Sequence, residues 1–494
     1  MSQYLLAIDQ GTSSSRTVIY NHDIAVVANA QQEFPQIYPQ AGWVEHDPDA
    51  IWSSVRAVTS RAMKKAEAQA SDITAIGITN QRETTLVWDR ESGECVYNAI
   101  VWQDRRTAER CRELRDDGLE ALIAAKTGLR LDPYFSATKI TWILDNVEGV
   151  RQRAEAGKLA FGTIDCFLLW RLSDGLQHAT DASNASRTML FNIHTQEWDE
   201  ELLRIFDIPA SLLPDVKDCA ADFGIATDEC LGGEVPVLGM VGDQQAALFG
   251  QAGLDVGMTK STYGTGCFAI AHTGADALKS ENQLLTTVAM RLNGETTYGL
   301  EGSIFVAGSA VQWLRDEMKI IGTAQESEDI ALRTGIVDDV IVVPAFAGLG
   351  APHWDPDARG AILGLSRGSS HEQVVTATLQ SIAYQTRDLV DAMAKDGIAP
   401  SVIRVDGGMV NNDWFLQFLA DILDIAVERP ENVESTVLGA AYLAAYQAGV
   451  MQDRRQISND WRLQKRFDPK MSVDQRTHLL QGWTAAIDRI RTNG

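Results

Sequence analysis

The chain has 494 residues, too many for one hydrophobic core, and its length points to two or three domains. It is 45% hydrophobic and 22% charged, with 39 Gly and 13 Pro, the composition of a packed globular protein and not of a disordered or collagen-like one. With 43 Lys+Arg against 67 Asp+Glu the net charge is −24, which argues against nucleic acid or anionic membrane surfaces as partners and means that an anionic substrate needs a locally positive pocket.

The N-terminus, MSQYLLAIDQ, has no basic n-region and meets Asp9 after a short apolar run, so no signal peptide is expected. No run reaches the ~18 apolar residues of a spanning helix, so no membrane insertion is expected. Tyr4 to Ile8 reads as a buried strand. A Gly11-Thr12-Ser13-Ser14-Ser15 turn and a second strand, Thr17 to Tyr20, complete a hairpin. Trp43 to Ala70 has helical patterning. Ile73 to Thr79 is a strand ending at Asn80-Gln81-Arg82-Glu83, and Thr84 to Trp88 reads as its hairpin partner. A mostly helical, turn-rich stretch runs from about Thr107 to Leu213.

The opening pattern then returns. Val235 to Gly242 is an apolar strand ending in Asp243-Gln244-Gln245. Met258 to Ser261 and Cys267 to Ala271 flank a Gly264-Thr265-Gly266 turn, a second hairpin. Ser369 to Lys395 reads as a helix with a Ser-Ser-x-Glu start at Ser369 to Glu372. Val402 to Val405 ends in Asp406-Gly407-Gly408 before a helix carrying Trp414, Phe415, Phe418, Leu419 and Ile422. Each half thus has the same grammar, and two related α/β domains with a boundary near Gly250 are expected. The six Cys (95, 111, 166, 219, 230, 267) are scattered with no C-x-x-C pair, which reads as free thiols in a reducing cytosol.

Several chemistries are excluded by pattern. Gly157-Lys158-Leu159 lacks the glycine of a phosphate-binding P-loop. Gly264-Thr265-Gly266 leads into a strand, not the helix a dinucleotide fold needs. His371-Glu372 is followed at the second ligand position by Val375, so no zinc-protease motif exists.

The informative positions each carry two readings. The Asp9 to Arg16 turn is either a solvent-exposed tip or a nest of N–H and O–H donors for phosphate oxygens, with Asp9 holding Mg²⁺ through water. Gly264-Thr265-Gly266 is the same device in the other half. Asp243 either caps a helix or acts as general base toward a substrate hydroxyl, with Gln244 beside it. Arg82-Glu83 is either a surface ion pair or a donor–acceptor pair for the hydroxyls of a polyol. Trp102, Tyr134 and Phe268 either pack in the core or wall the carbon face of that polyol. Asn411 or Asn412 is a helix cap, or Gly408 and Asn412 flank an adenine. Gly302 to Gln312 combines small residues with a Gln on a helix.

Together these stretches resemble the FGGY carbohydrate kinases over nearly the whole chain: AIDQGTSSSR (7–16), GITNQRETT (77–85), VWQDRRT (101–107), DPYFSATKITWILDN (132–146), GDQQAALFGQ (242–251), STYGTGCF (261–268), PAFAGLGAPHWDPDARGAILGLSRGSS (344–370) and DGGMVNND (406–413). Residues 134–146 and 360–380 look like the family's two signature patterns. The resemblance implies an α/β fold of two ribonuclease-H-like domains of the actin/sugar-kinase type, 1–249 and 250–494, flanking an active-site cleft. It implies phosphoryl transfer from ATP to glycerol with Mg²⁺, giving sn-glycerol 3-phosphate, in a cytoplasmic homo-oligomer, dimer or tetramer.

By position, the resemblance assigns Arg82, Glu83, Tyr134, Asp243 and Gln244 to glycerol, with Trp102 and Phe268 on its carbons. It assigns Thr12, Ser13, Ser14, Arg16, Thr265, Gly308, Gln312, Gly408 and Asn412 to the nucleotide, Asp9 and Asp243 to the metal, and Asp243 as the base. Two departures stand out. Some family members carry a Gly-Gly-x-Gly-Gly-x-Arg stretch tied to inhibition by fructose 1,6-bisphosphate; here residues 231–237 contain no Arg. Others carry a phosphorylated His in a His-Phe-Tyr-Gly motif; here 221–224 read Ala-Asp-Phe-Gly. The alternatives are a pentulose or hexulose kinase, an actin-like non-metabolic ATPase, and an interaction-only module.

Overall fold

The computed structural model describes residues 3–355 and 357–492. The strand Tyr4–Gln10 is almost wholly buried, as its run of five non-charged residues before Asp9 demands. It pairs antiparallel with Ser14–Asn21, setting Asp9 opposite Arg16, so the expected first hairpin forms. On its other edge it pairs parallel with Ile73–Asn80, which pairs parallel in turn with Val235–Gly242. Six strands make this first sheet, in the order 225–226, 235–242, 73–80, 4–10, 14–21, 26–33.

The second sheet repeats the pattern with seven strands, in the order 285–292, 295–304, 267–274, 259–263, 402–406, 426–430, 463–467. Thr259–Tyr263 and Cys267–Gly274 form the second expected hairpin, and Thr259–Tyr263 runs parallel to Val402–Asp406. An antiparallel hairpin feeding parallel strands, twice in one chain, is the two-domain ribonuclease-H-like α/β architecture. Both sheets aim the C-terminal ends of their parallel strands at one cleft, the usual place for ligands in such sheets.

Three local expectations change. Thr84 to Trp88 does not return against Ile73–Asn80, because that strand is central and both its edges are taken. Instead Leu86–Asp89 pairs with Leu159–Gly162 in a separate two-stranded sheet. The first long helix is Pro48–Lys65, shorter than 43–70: Asp47 caps its N-terminus and Pro48 occupies the first turn, where a missing N–H costs nothing. In the helix His371–Lys395 the cap is Ser370 with Gln373, one residue on from the expected pair, because the Ser369 hydroxyl accepts the N–H of Ser366. Among the described residues no helix is long and apolar enough to cross a membrane.

The helix Ser435–Gln447 lies late in the chain yet covers the first sheet. It is apolar on nearly all sides, as a helix buried all round must be. Val437, Ala441 and Leu443 share one core with Leu5, Ala7, Val241 and Phe249. It meets the helix Asp243–Gly250 at backbone distance. A Cβ on Gly439 would lie 2.0 Å from the Ala246 carbonyl oxygen, and one on Gly250 would lie 2.2 Å from the Ser435 carbonyl oxygen.

Gly439→Ala therefore has to push these helices apart. Overpacking of this kind costs about 1–3 kcal/mol, so the urea midpoint of the variant should fall clearly below that of the parent. An unchanged midpoint would show that the helix contact is slack.

Candidate active site

Three parallel strands of the first sheet end at one edge. Register sets Asp9 beside Thr79 and Gly242 beside Asn80, so the residues that follow, Arg82, Glu83 and Asp243, converge there. Asp243 opens the helix Asp243–Gly250, but Gly242 is the capping position, so the Asp243 carboxylate is not spent as the cap. Its Oδ1 accepts the N–H of Gln244 at 2.7 Å and lies 3.1 Å from Arg82 Nε.

Arg82 is 2% exposed, and each terminal nitrogen of its guanidinium makes two hydrogen bonds. Nη1 donates to Glu301 Oε2 at 2.7 Å and to Gln245 Oε1 at 3.1 Å. Nη2 donates to Glu301 Oε1 at 2.9 Å and to the Tyr134 hydroxyl at 3.4 Å. A second fully buried guanidinium, Arg187, donates to the same Glu301 Oε1 at 3.0 Å and to Glu83 Oε1 at 2.6 Å. Arg82-Glu83 is thus no surface pair; both side chains belong to a buried network closed by Arg187 and Glu301.

The three aromatic residues Trp102, Tyr134 and Phe268 come together in one cluster. The Trp102 ring lies 5.5 Å from that of Tyr134 and 5.8 Å from that of Phe268, both edge-on. Trp102 Nε1 donates to Thr12 Oγ1 at 2.9 Å, which ties the first hairpin tip to this cluster. Phe268 comes from the second sheet, two residues beyond the second hairpin tip, so Trp102 brings the two tips together.

Gln244 is buried, and its Oε1 accepts from the ammonium of Lys260, a fully buried residue of the strand Thr259–Tyr263. Lys260, Arg187, Glu301 and Gln245 were not singled out from the sequence. The only signal they carry is a charge or amide inside a run that otherwise reads as strand or turn.

A cavity of about 470 Å³ opens on the second sheet's side of the cleft, and Thr265, Gly308, Gln312, Gly408 and Asn412 all line it. A Cβ on Gly408 would meet nothing within 4 Å, so its backbone faces open space. The Asn412 side chain accepts the N–H of Phe415 at 2.8 Å and so caps the helix Asp413–Leu423 while lining the cavity. Thr12, Ser13, Ser14 and Arg16 do not line this cavity; they stand on the first hairpin. There Arg16 pairs with Glu434 and donates to Gln31 Oε1 at 2.7 Å, and the Ser14 hydroxyl accepts from Gln31 Nε2 at 2.9 Å.

The electrostatics separate the carboxylates by role. Burial pushes Asp9 up to about 7; Arg16 opposes this and the Asp243 charge adds to it. Burial also raises Asp243, against the pull of Arg82 and Lys260. Burial would raise Glu301 as well, but Arg187 and Arg82 outweigh it and hold that carboxyl at about 2. Glu301 is therefore a permanent anion, while Asp9 and Asp243 are carboxylates that gain from a proton or a cation.

Two ribonuclease-H-like sheets facing a cleft, with strand-end carboxylates on one side and a glycine-lined cavity on the other, define the sugar-kinase class of fold. The chain belongs to the FGGY family of carbohydrate kinases: the family's N-terminal domain matches residues 4–250 and its C-terminal domain residues 259–448. The chain is 60% identical to the glycerol kinase of Ectopseudomonas mendocina (strain ymp) over 495 residues, covering 100% of both. It is 59% identical to glycerol kinase 1 of Pseudomonas aeruginosa, again over 100% of both. Among solved structures it superposes on Plasmodium falciparum glycerol kinase with ADP at a TM-score of 0.91 and 36% identity, covering 99% of this chain and 98% of that one. A xylulose kinase from Lactobacillus acidophilus shares the fold at a TM-score of 0.89 and 22% identity, covering 99% of both chains.

Glu301→Gln keeps shape and removes the anion between two buried guanidiniums. Breaking such a buried pair costs about 3–5 kcal/mol. Because Glu301 sits at about 2 when folded against 4.5 when free, its contribution is complete above pH 4.5 and is lost as pH falls toward 2. The stability gap between parent and variant should therefore be widest at pH 7 and narrower at about pH 3, read by urea unfolding at each pH. An equal gap at both would remove the electrostatic account.

Proposed function

We propose that the chain transfers the γ-phosphoryl group of ATP to a terminal hydroxyl of glycerol, giving sn-glycerol 3-phosphate and ADP. The observation that carries this reading is the acceptor site itself: Asp243 at 3.1 Å from Arg82, which also reaches the Tyr134 hydroxyl in the cluster of Trp102, Tyr134 and Phe268. The site is short and aromatic-walled, which suits a three-carbon polyol better than a pentulose or hexulose. The 54–60% identity to full-length relatives named glycerol kinase supports the same substrate.

In this reading Arg82, Glu83, Tyr134 and Gln244 hold the glycerol hydroxyls, and Trp102 and Phe268 cover its carbons. As the acceptor oxygen bonds to the γ-phosphorus and the bond to the β-bridging oxygen breaks, the acceptor proton passes to the Asp243 carboxylate, whose raised basicity suits the task. Thr265, Gly308, Gln312, Gly408 and Asn412 take the nucleoside part in the 470 Å³ cavity. Thr12, Ser13, Ser14 and Arg16 reach the phosphates from the first lobe.

Asp9 and Asp243 fit Mg²⁺: the Asp243 charge adds to the cost of ionising Asp9, and Mg²⁺ favours one or two carboxylates with waters and phosphate oxygens over an all-protein cage. When bound, the metal would offset negative charge on the transferring phosphates. Residues 1–249 would supply the acceptor site and first phosphate loop, and 250–494 the nucleotide site. Free thiols support a reducing, cytoplasmic setting, and assembly as a dimer or tetramer follows the family resemblance.

A panel of glycerol, dihydroxyacetone, xylulose and gluconate, scored by ADP release with ATP and Mg²⁺, should give the highest kcat/KM for glycerol. A five- or six-carbon substrate ahead of glycerol would overturn the assignment. Asp243→Asn should lower kcat by about 10²–10⁴-fold with nucleotide affinity little changed. Full recovery of that variant in excess Mg²⁺ would show that Asp243 serves the metal and not the proton.

A further inference from the structure

Lys260 belongs to the second sheet, yet its ammonium group reaches the acceptor site that the first sheet builds. It is fully buried and donates to three oxygens: Gln244 Oε1, Thr262 Oγ1 at 2.9 Å and the Phe268 carbonyl at 3.3 Å. An ammonium has three donors and no acceptor, so all its capacity is spent. Two of these partners, Gln244 and Phe268, are residues of the acceptor site.

An amide has a donor end and an acceptor end. Against an ammonium only the oxygen end is favourable, so Gln244 must turn its NH₂ group the other way. Asp243 is its chain neighbour, and the Asp243 Oδ1 accepts the Gln244 backbone N–H at 2.7 Å. Were the amide reversed, its N–H groups would face the ammonium, which is repulsive. The orientation is therefore fixed by the charge of Lys260.

We propose that Lys260 is a positioning residue that locks the Gln244 amide with its NH₂ group toward the substrate hydroxyl beside Asp243. Gln244 then only donates and Asp243 only accepts, so the attacking hydroxyl is held with its lone pair on Gln244 and its proton toward Asp243. The second lobe sets the polarity of the first lobe's site. The inference rests on the glycerol-kinase reading above.

Steady-state kinetics with ATP and glycerol on the parent, Lys260→Met, Gln244→Ala and the double variant test it. Lys260→Met should raise the glycerol KM on the order of 10-fold, the scale of one lost oriented hydrogen bond, with the ATP KM within about twofold. In the Gln244→Ala background the same change should move the glycerol KM by less than about twofold, because coupled residues are not additive. Multiplying effects in the double variant, or a fall in kcat with the glycerol KM unmoved, would overturn the proposal. Gln244→Glu keeps Lys260 and tests the same point if Lys260→Met fails to fold. It turns an acceptor oxygen to Asp243 and the substrate, so its glycerol KM should exceed that of Gln244→Ala. A KM within about twofold of the parent would show that the amide was never locked. A parent enzyme without glycerol turnover overturns the functional reading and this inference together, whereas turnover with independent effects overturns this inference alone.

Discussion

Two guanidiniums and an ammonium are buried around one site, the guanidiniums paired with buried carboxylates and the ammonium with three neutral oxygens. Arg82, Arg187 and Lys260 stand among Glu83, Glu301 and Asp243. Removing a charge from water costs several kcal/mol in real proteins unless its partners are close and well directed. Glu301 is the most demanding of these partners. It takes two hydrogen bonds from Arg82 and one from Arg187, and both arginines lie in the first half of the chain while Glu301 lies in the second. The two halves of the chain are thus joined by a shared set of buried charges.

The same charges are packed against aromatic rings. The Arg187 guanidinium lies 5.5 Å from the Tyr134 ring and 5.2 Å from Phe135, and Trp102 bridges Tyr134 to Phe268. Cations on aromatic faces lose less on leaving water than cations against aliphatic carbon.

The lobes are also joined behind the cleft. The helix Ser435–Gln447 rests on the first sheet with glycine at its crossing point, while its chain neighbours belong to the second lobe. Arg16, on the first hairpin, pairs with Glu434 just ahead of that helix. The first hairpin is thus tied to the helix at which the two lobes meet at closest backbone approach.

Much of the fold and many of the candidate residues were legible in the chain itself. Strands such as Tyr4–Gln10 and Val235–Gly242 announce themselves by apolar runs that stop at an acid, and hairpin tips by Gly, Ser and Thr. Both are local signals, set by burial and by backbone conformation within a few residues. Pairing partners are not local. Leu86–Asp89 looked like the return of the preceding strand, and only the occupied edges of Ile73–Asn80 sent it to Leu159–Gly162. The same distinction separates the site residues. Asp243 and Arg82-Glu83 sit at strand ends where chemistry is expected. Arg187, Lys260 and Glu301 sit in stretches with no motif, and their meaning lies in which polar or charged partner they meet 16 to 219 residues away. Sequence alone determined the strands that stop at an acid, the Gly/Ser/Thr turns and the residues that stand at those strand ends, whereas strands such as Val26–Glu33 and Leu285–Leu292 carried no such signal. The tertiary structure alone decided which buried charges neutralise one another, because that depends on distances the chain closes only when both lobes are packed.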